Sequence, residues 1–107
     1  MSWERTPQSL EMRRRAMRAL VVAKLRTHPE LLAVARESLN RWESNGALPR
    51  ASVAAWRALL DAGLPAVLEL LEDTSENRDW LRRCAPMAGV LTEDERLGFL
   101  RNWHPPA

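Results

Sequence analysis

Few side chains in this 107-residue chain have types and spacings that could do chemistry: two histidines, one cysteine, an acidic triplet and a run of arginines. His28 and His104 stand 76 positions apart, and neither has a ligand at helical spacing. A metal site needs two to four Cys, His, Asp or Glu groups converging. Cys84 becomes a nucleophile only with a base and an oxyanion donor beside it; a small buried hydrophobe is its expected role. Glu93-Asp94-Glu95 fall where the first turn of a helix favours negative charge, which accounts for them without paired-carboxylate catalysis. There is no glycine-rich phosphate loop, no H-E-x-x-H and no G-x-S-x-G. The sequence predicts no enzyme, no cofactor and no small-molecule substrate.

The arginines are a different matter. Residues 1 to 50 hold ten basic and five acidic residues, a net +5, while residues 51 to 107 hold six and nine, a net −3. A basic front and an acidic back suit a polar partner on one side; the plainer alternative is that most of these arginines are solvated surface. Arg13, Arg14, Arg15, Arg18, Lys24 and Arg26 concentrate on one predicted helix, which could track phosphates without reading sequence. Base readout is not expected. Gly63 could form the turn of a helix-turn-helix, but the following Pro65-Ala66-Val67-Leu68-Glu69-Leu70-Leu71-Glu72 offers no arginine, lysine, asparagine or glutamine to a base edge and ends acidic.

The elements that must position these groups read as helices throughout. Thr6-Pro7 is an N-cap followed by proline in the first turn, and Leu10, Met17, Leu20, Val21 and Leu25 share one face to about residue 26. Thr27-His28-Pro29-Glu30 has the spacing of a capping box and predicts a second helix with Leu31, Leu32, Ala35, Leu39 and Trp42 inward. Asn45-Gly46 ends it. A third helix from about Pro49 to Ala62 carries Val53, Trp56, Leu59 and Leu60, and a short fourth begins at Pro65 with Val67, Leu68 and Leu71. Asp73-Thr74-Ser75-Glu76 predicts a capped fifth helix with Trp80, Leu81 and Cys84, and Thr92-Glu93-Asp94-Glu95 a sixth with Leu97, Leu100 and Trp103 inward. No stretch alternates with period two. The expected fold is all-α, a compact bundle of five or six short helices in one domain over residues 1–107, with 1–5 and 104–107 loose.

Length and composition agree with that. A 46% hydrophobic and 28% charged chain is globular, and no apolar run approaches the roughly 20 residues that span a bilayer. The first eight residues lack the apolar core of an export signal, and one cysteine allows no internal disulfide, so a cytoplasmic setting is expected.

Two features point toward a partner. On the first helix, Arg13 and Lys24 flank the apolar stripe on one side and Arg14 on the other, at about 100° per residue. Charges so close to a stripe fit either arginine stems snorkelling at a core edge or an exposed stripe met by an acidic partner. Trp3, ahead of the first cap, is either a staple onto the core or an interface anchor. The second feature is Ala85-Pro86-Met87-Ala88-Gly89-Val90-Leu91, a helix-breaking segment made of apolar residues where a loop is normally polar. Pro86 stops a helix, Gly89 permits a tight turn, and Thr92 caps the next helix. Met87, Val90 and Leu91 must then either plug the core or lie exposed as a contact patch.

That segment carries a resemblance. Leu81-Arg82-Arg83-Cys84-Ala85-Pro86-Met87-Ala88-Gly89-Val90-Leu91, followed by Glu95-Arg96, resembles a C-terminal signature of small helical bacterial proteins, roughly L-R-Q-S-S-P-F-A-G-V-L and then E-R. These look like the antitoxin-type partners of two-gene toxin–antitoxin operons. An arginine-rich first helix, Pro29-Glu30-Leu31-Leu32, and Trp56 ahead of Leu59-Leu60 resemble their upstream parts. Here Arg83 replaces glutamine, Cys84-Ala85 replace two serines and Met87 replaces phenylalanine. The resemblance implies a protein that neutralises a cognate toxin by direct binding; the first-helix stripe, Trp3 and the helix-breaking segment make Trp3, Arg13, Arg14, Met17, Arg18, Pro86, Met87 and Val90 the candidate contact residues. The alternative is a nucleic-acid-binding regulator acting through the basic helix, and the two coexist where such proteins also bind their operator DNA.

Overall fold

Thr6 starts the chain's first helix as the sequence predicts: its hydroxyl accepts the Ser9 N–H at 3.1 Å, and Pro7 follows in the first turn. The computed structural model describes residues 6–105, so Trp3 and the terminal residues 1–5 and 106–107 lie outside what is described. Six α-helices make an all-α bundle: α1 Pro7–Thr27, α2 Leu32–Ser44, α3 Arg50–Ala62, α4 Leu64–Glu72, α5 Asp79–Arg83 and α6 Glu93–Asn102. No strand occurs among the described residues. No described helix is long and apolar enough to cross a membrane.

α1 runs through Thr27 instead of stopping before it. The Thr27 hydroxyl donates back to the carbonyls of Ala23 and Lys24, so it is spent inside α1 and cannot cap α2. Pro29 bars the helical conformation at His28, which ends α1, and a 3₁₀ turn at Pro29–Leu31 leads into α2. Gly46, at φ 71°, closes α2, and Gly63, at φ 106°, is the one-residue break between α3 and α4. The predicted cap at Asp73 is also absent. Its carboxylate accepts from the N–H and hydroxyl of Ser75 at 2.8 and 2.9 Å, forming a local turn, and a 3₁₀ turn at Glu76–Arg78 precedes a five-residue α5. Thr92 does form a full capping box, accepting from Glu95 N–H while the Glu95 carboxylate accepts from Thr92 N–H at 2.8 Å.

The core gathers Val21, Val22 and Leu25 of α1, Ala35 and Leu39 of α2, Val53, Trp56 and Leu60 of α3, and Val67, Leu70 and Leu71 of α4. Each large apolar side chain so buried stabilises the fold by roughly 1.5–3 kcal/mol. At its centre the fully buried Trp56 donates its indole N–H to the Leu81 carbonyl at 2.9 Å, tying α3 to α5. The apolar stripe of α1 is rotated from the predicted one. Val22 is buried, Leu20 is exposed, and Leu10 and Met17 are half-buried. Trp42, Trp103 and Cys84 are only half-buried, and Trp80 is 48% exposed. α6 buries no residue at all, with Leu97 and Leu100 exposed against the prediction.

The segment 85–91 resolves in favour of the core. Pro86, Met87 and Val90 are buried, and Val90 N–H donates to the Met87 carbonyl at 3.0 Å to close the turn. Gly89 is not there for a left-handed conformation, because its φ is not positive. Close approach explains it: a Cβ at Gly89 would lie 2.7 Å from Cγ1 of Val34 on α2. Gly89→Ala should therefore destabilise the protein by about 1–3 kcal/mol, the usual cost of overpacking. Adding Val34→Ala should recover part of that loss in urea unfolding. Strictly additive losses would show that Val34 is not the neighbour that demands a glycine.

Candidate functional site

α1 is 21 residues long and α4, which packs along it, only nine. At 1.5 Å per residue that is roughly 31 Å against 13 Å, so α4 covers only part of α1. Between Leu10 and Leu20 no residue of α1 is buried. This uncovered half faces α5 and α6, and arginine lines the space between them.

A cleft of about 450 Å³ opens there. α1 contributes Arg13, Arg14, Met17 and Arg18, α5 contributes Arg82 and Arg83, and α6 contributes Arg96 and Leu100. Six of these eight are arginine and none is acidic. Beside it lies an apolar notch of about 250 Å³, sharing Met17, Arg18 and Arg96 with the cleft. Its other walls are Val21, Leu71 and, from the helix-breaking segment, Ala85, Met87, Ala88 and Leu91. Across the Arg14–Arg18 ridge is a second groove, but it contains Glu11, Glu76 and Asp79 among its arginines. Of these two, the first has no acidic residue in its lining.

Carboxylates hold these guanidiniums from outside. Glu11 lies 3.4 Å from Arg18 and 4.0 Å from Arg14, Asp79 lies 2.8 Å from Arg83, and Glu93 takes both Nη2 and Nε of Arg96 at 2.8 and 3.3 Å. Hydrogen bonds from Arg96 depress the Glu93 pKa, and Glu93 raises that of Arg96 in return. Glu11 also serves Arg15, and Arg13 has no ion-pair partner among the described residues. The cleft keeps a positive surplus.

Arg82 is the least expected of the six. Its side chain is 2% exposed and donates through Nη2 to the Ser75 carbonyl. Asp73 and Asp79 stand 4.0 and 3.8 Å away. Its Nε and Nη1 are buried without a hydrogen-bond partner among the described residues. A buried guanidinium is tolerable only with carboxylates close by. Asp73 is held ready for this, because hydrogen bonds from the Ser75 backbone and hydroxyl, and then the charges of Arg78 and Arg82, lower its pKa.

The structure thus brings Arg13, Arg14, Met17 and Arg18 of the sequence-predicted set onto one cleft. Pro86, Met87 and Val90 are not a contact surface, since all three are buried. Met87 reaches only the lining of the notch. Trp3 lies outside the described residues. Arg82, Arg83 and Arg96 were visible as charges, but no periodicity connects two short helices to α1. No protein-family model matches the chain, and no curated protein or solved structure matches it either.

α6, and Arg96 with it, is held to α1 by Lys24, which donates to Glu95 at 2.6 Å. That bond, helped by the Thr92 N–H, lowers the Glu95 pKa from an ordinary 4.5 to about 2. A carboxylate depressed in the fold stabilises it fully above the unfolded value, and the contribution fades as pH falls toward the folded one. The thermal midpoint should accordingly drop as pH is lowered from about 5 toward 2. Glu95→Gln should start lower at neutral pH and fall less steeply. Parallel curves for the two proteins would exclude a special role for Glu95.

Proposed function

We propose that this chain is an antitoxin-like protein that neutralises a cognate toxin by direct contact, with the arginine cleft as the contact surface. The observation that carries this reading is the cleft itself: six arginines and no acid, next to an apolar notch, on the stretch of α1 from Leu10 to Leu20 where no residue is fully buried. Arginine is enriched at protein interfaces because its planar donors and apolar stem suit desolvated contacts. The resemblance of residues 81–91 to an antitoxin signature supports the same reading in a modified form. Those residues supply four walls of the notch from beneath instead of presenting a patch of their own. A cytoplasmic setting accords with such a role.

Co-expression with the product of the adjacent gene should give a stable complex and relieve growth arrest. The double variant Arg13→Glu/Arg14→Glu should weaken that complex by about a hundredfold, because like charge is placed against an acidic surface. Arg50→Glu, the same kind of substitution at the start of α3, should not weaken it. An adjacent product that neither arrests growth nor co-purifies would remove the antitoxin reading.

The same six arginines also favour a second reading, nucleic-acid binding by phosphate tracking. It requires duplex DNA affinity that falls steeply with salt and collapses in Arg13→Ala/Arg14→Ala/Arg18→Ala. Flat mobility-shift titrations at low salt would eliminate it.

A further inference from the structure

We infer that the cleft and its notch together recognise an acidic partner segment that inserts one large aliphatic or thioether side chain, leucine or methionine, between Arg18 and Arg96. This rests on the protein-contact reading of the cleft and specifies the chemistry of the segment.

Size comes first. Pockets for small molecules run to about 300–1,000 Å³. At about 250 Å³ the notch is below that class and suits one side chain. Its lining chemistry comes second. Apart from the two arginines at its lip, every lining residue is aliphatic or methionine, so a nucleobase placed there would leave its ring nitrogens and carbonyls unpaired. A polar side chain would meet the same penalty. The notch also has no aromatic ring on which a base could stack.

Charge settles what surrounds the anchor. The adjoining cleft is lined by six arginines and no carboxylate, and with Arg82 buried the other five carry its accessible charge. The segment must therefore carry Asp or Glu on the cleft side of its anchor. Arg18 and Arg96 line both spaces, so a carboxylate within a few residues of the anchor meets them directly. Both are already fixed, Arg18 by Glu11 at 3.4 Å and Arg96 by the two-point grip of Glu93. Little ordering remains to oppose binding. Arg18 is also mostly covered, its side chain 14% exposed, which strengthens a charge-assisted bond made there.

The test is selection of a phage-displayed random-peptide library on the intact protein. Enriched peptides should carry a leucine or methionine with two or more acids within about four residues, one helical turn. A synthetic copy labelled with fluorescein should lose at least about tenfold in affinity, a loss of 1.4 kcal/mol, on Ala88→Leu, which fills the notch from its exposed rim. Arg96→Glu should do the same by charge, so the inference stays testable if Ala88→Leu unfolds the turn. Arg50→Glu should leave affinity unchanged.

Enrichment of basic or uncharged peptides, the absence of enrichment, or binding indifferent to both variants would overturn the inference. So would self-association in sedimentation that Ala88→Leu abolishes, since the occupant would then be a second copy of the chain. A toxin complex that forms in cells yet ignores Ala88→Leu and Arg96→Glu would leave the protein-contact reading standing and this inference refuted.

Discussion

One buried hydrogen bond determines where the C-terminal third of this protein goes. α5 has five residues, too few to hold itself together or to dock by a stripe of its own. Its carbonyls would be unsatisfied inside the bundle unless something met them. The indole of Trp56 does so at Leu81, from the most buried position of α3. The Leu81 carbonyl also accepts the Cys84 N–H at 3.3 Å, but an indole N–H without an acceptor would cost about 1–3 kcal/mol in that interior, so the pairing holds α5 against α3. Leu81 then faces the core, Arg82 is drawn in toward Asp73 and Asp79, and Arg83 points along the cleft. The segment from Ala85 to Leu91 leaves α5 at the angle that puts Met87 and Val90 into the interior.

Local chemistry was legible in the sequence wherever a side chain had only one good use. Thr6 and Thr92 cap, and Gly46 and Gly63 break, because their neighbours offer nothing better. Thr27 and Asp73 have the same types and spacing as caps, yet each has a second option. Thr27 bonds back to its own helix, and Asp73 turns on Ser75 while facing Arg78 and Arg82. The loss of those two caps shortens α5 and inserts both 3₁₀ turns. Inward-facing stripes were legible only where a helix has neighbours on that side. α3, packed by α2, α4 and α5, buries Val53, Trp56 and Leu60 as expected. Trp80, Leu97 and Leu100 sit on short peripheral helices, where apolar spacing exists but no surface lies opposite to meet it.

The cleft follows from a mismatch in helix length, which a reading of one helix at a time cannot show. α4 is bounded by Gly63 and Asp73 and cannot extend along α1. The arginines of α1 that crowd its apolar stripe therefore need not be buried; Arg13 and Arg14 lie N-terminal to Val21, Val22 and Leu25, through which α1 joins the core. α5 and α6 then bring Arg82, Arg83 and Arg96 to the same space. Six like charges in one concavity repel, and the outer carboxylates Glu11, Asp79 and Glu93 make the arrangement tolerable without entering it. Exposed pairs of this kind add little stability, typically 0–1 kcal/mol each. Their effect is on geometry, since Arg18, Arg83 and Arg96 are each held in place by a carboxylate that does not line the cleft.

The helix-breaking segment acts in the same indirect way. Its apolar residues are needed inside, where Met87 and Val90 complete the core and Gly89 clears Val34. Had they been polar, the turn would lie on the surface, α6 would have no fixed origin, and Arg96 would not reach α1. Because the turn is packed instead, Ala85, Met87, Ala88 and Leu91 form a firm wall under the notch, with Lys24 and Glu95 clamping α6 over it. A change at Met87 alters the shape of the notch, while a change at Arg13 alters only the charge of the cleft. The first acts through shape and resists salt; the second acts through a screened field and yields to it.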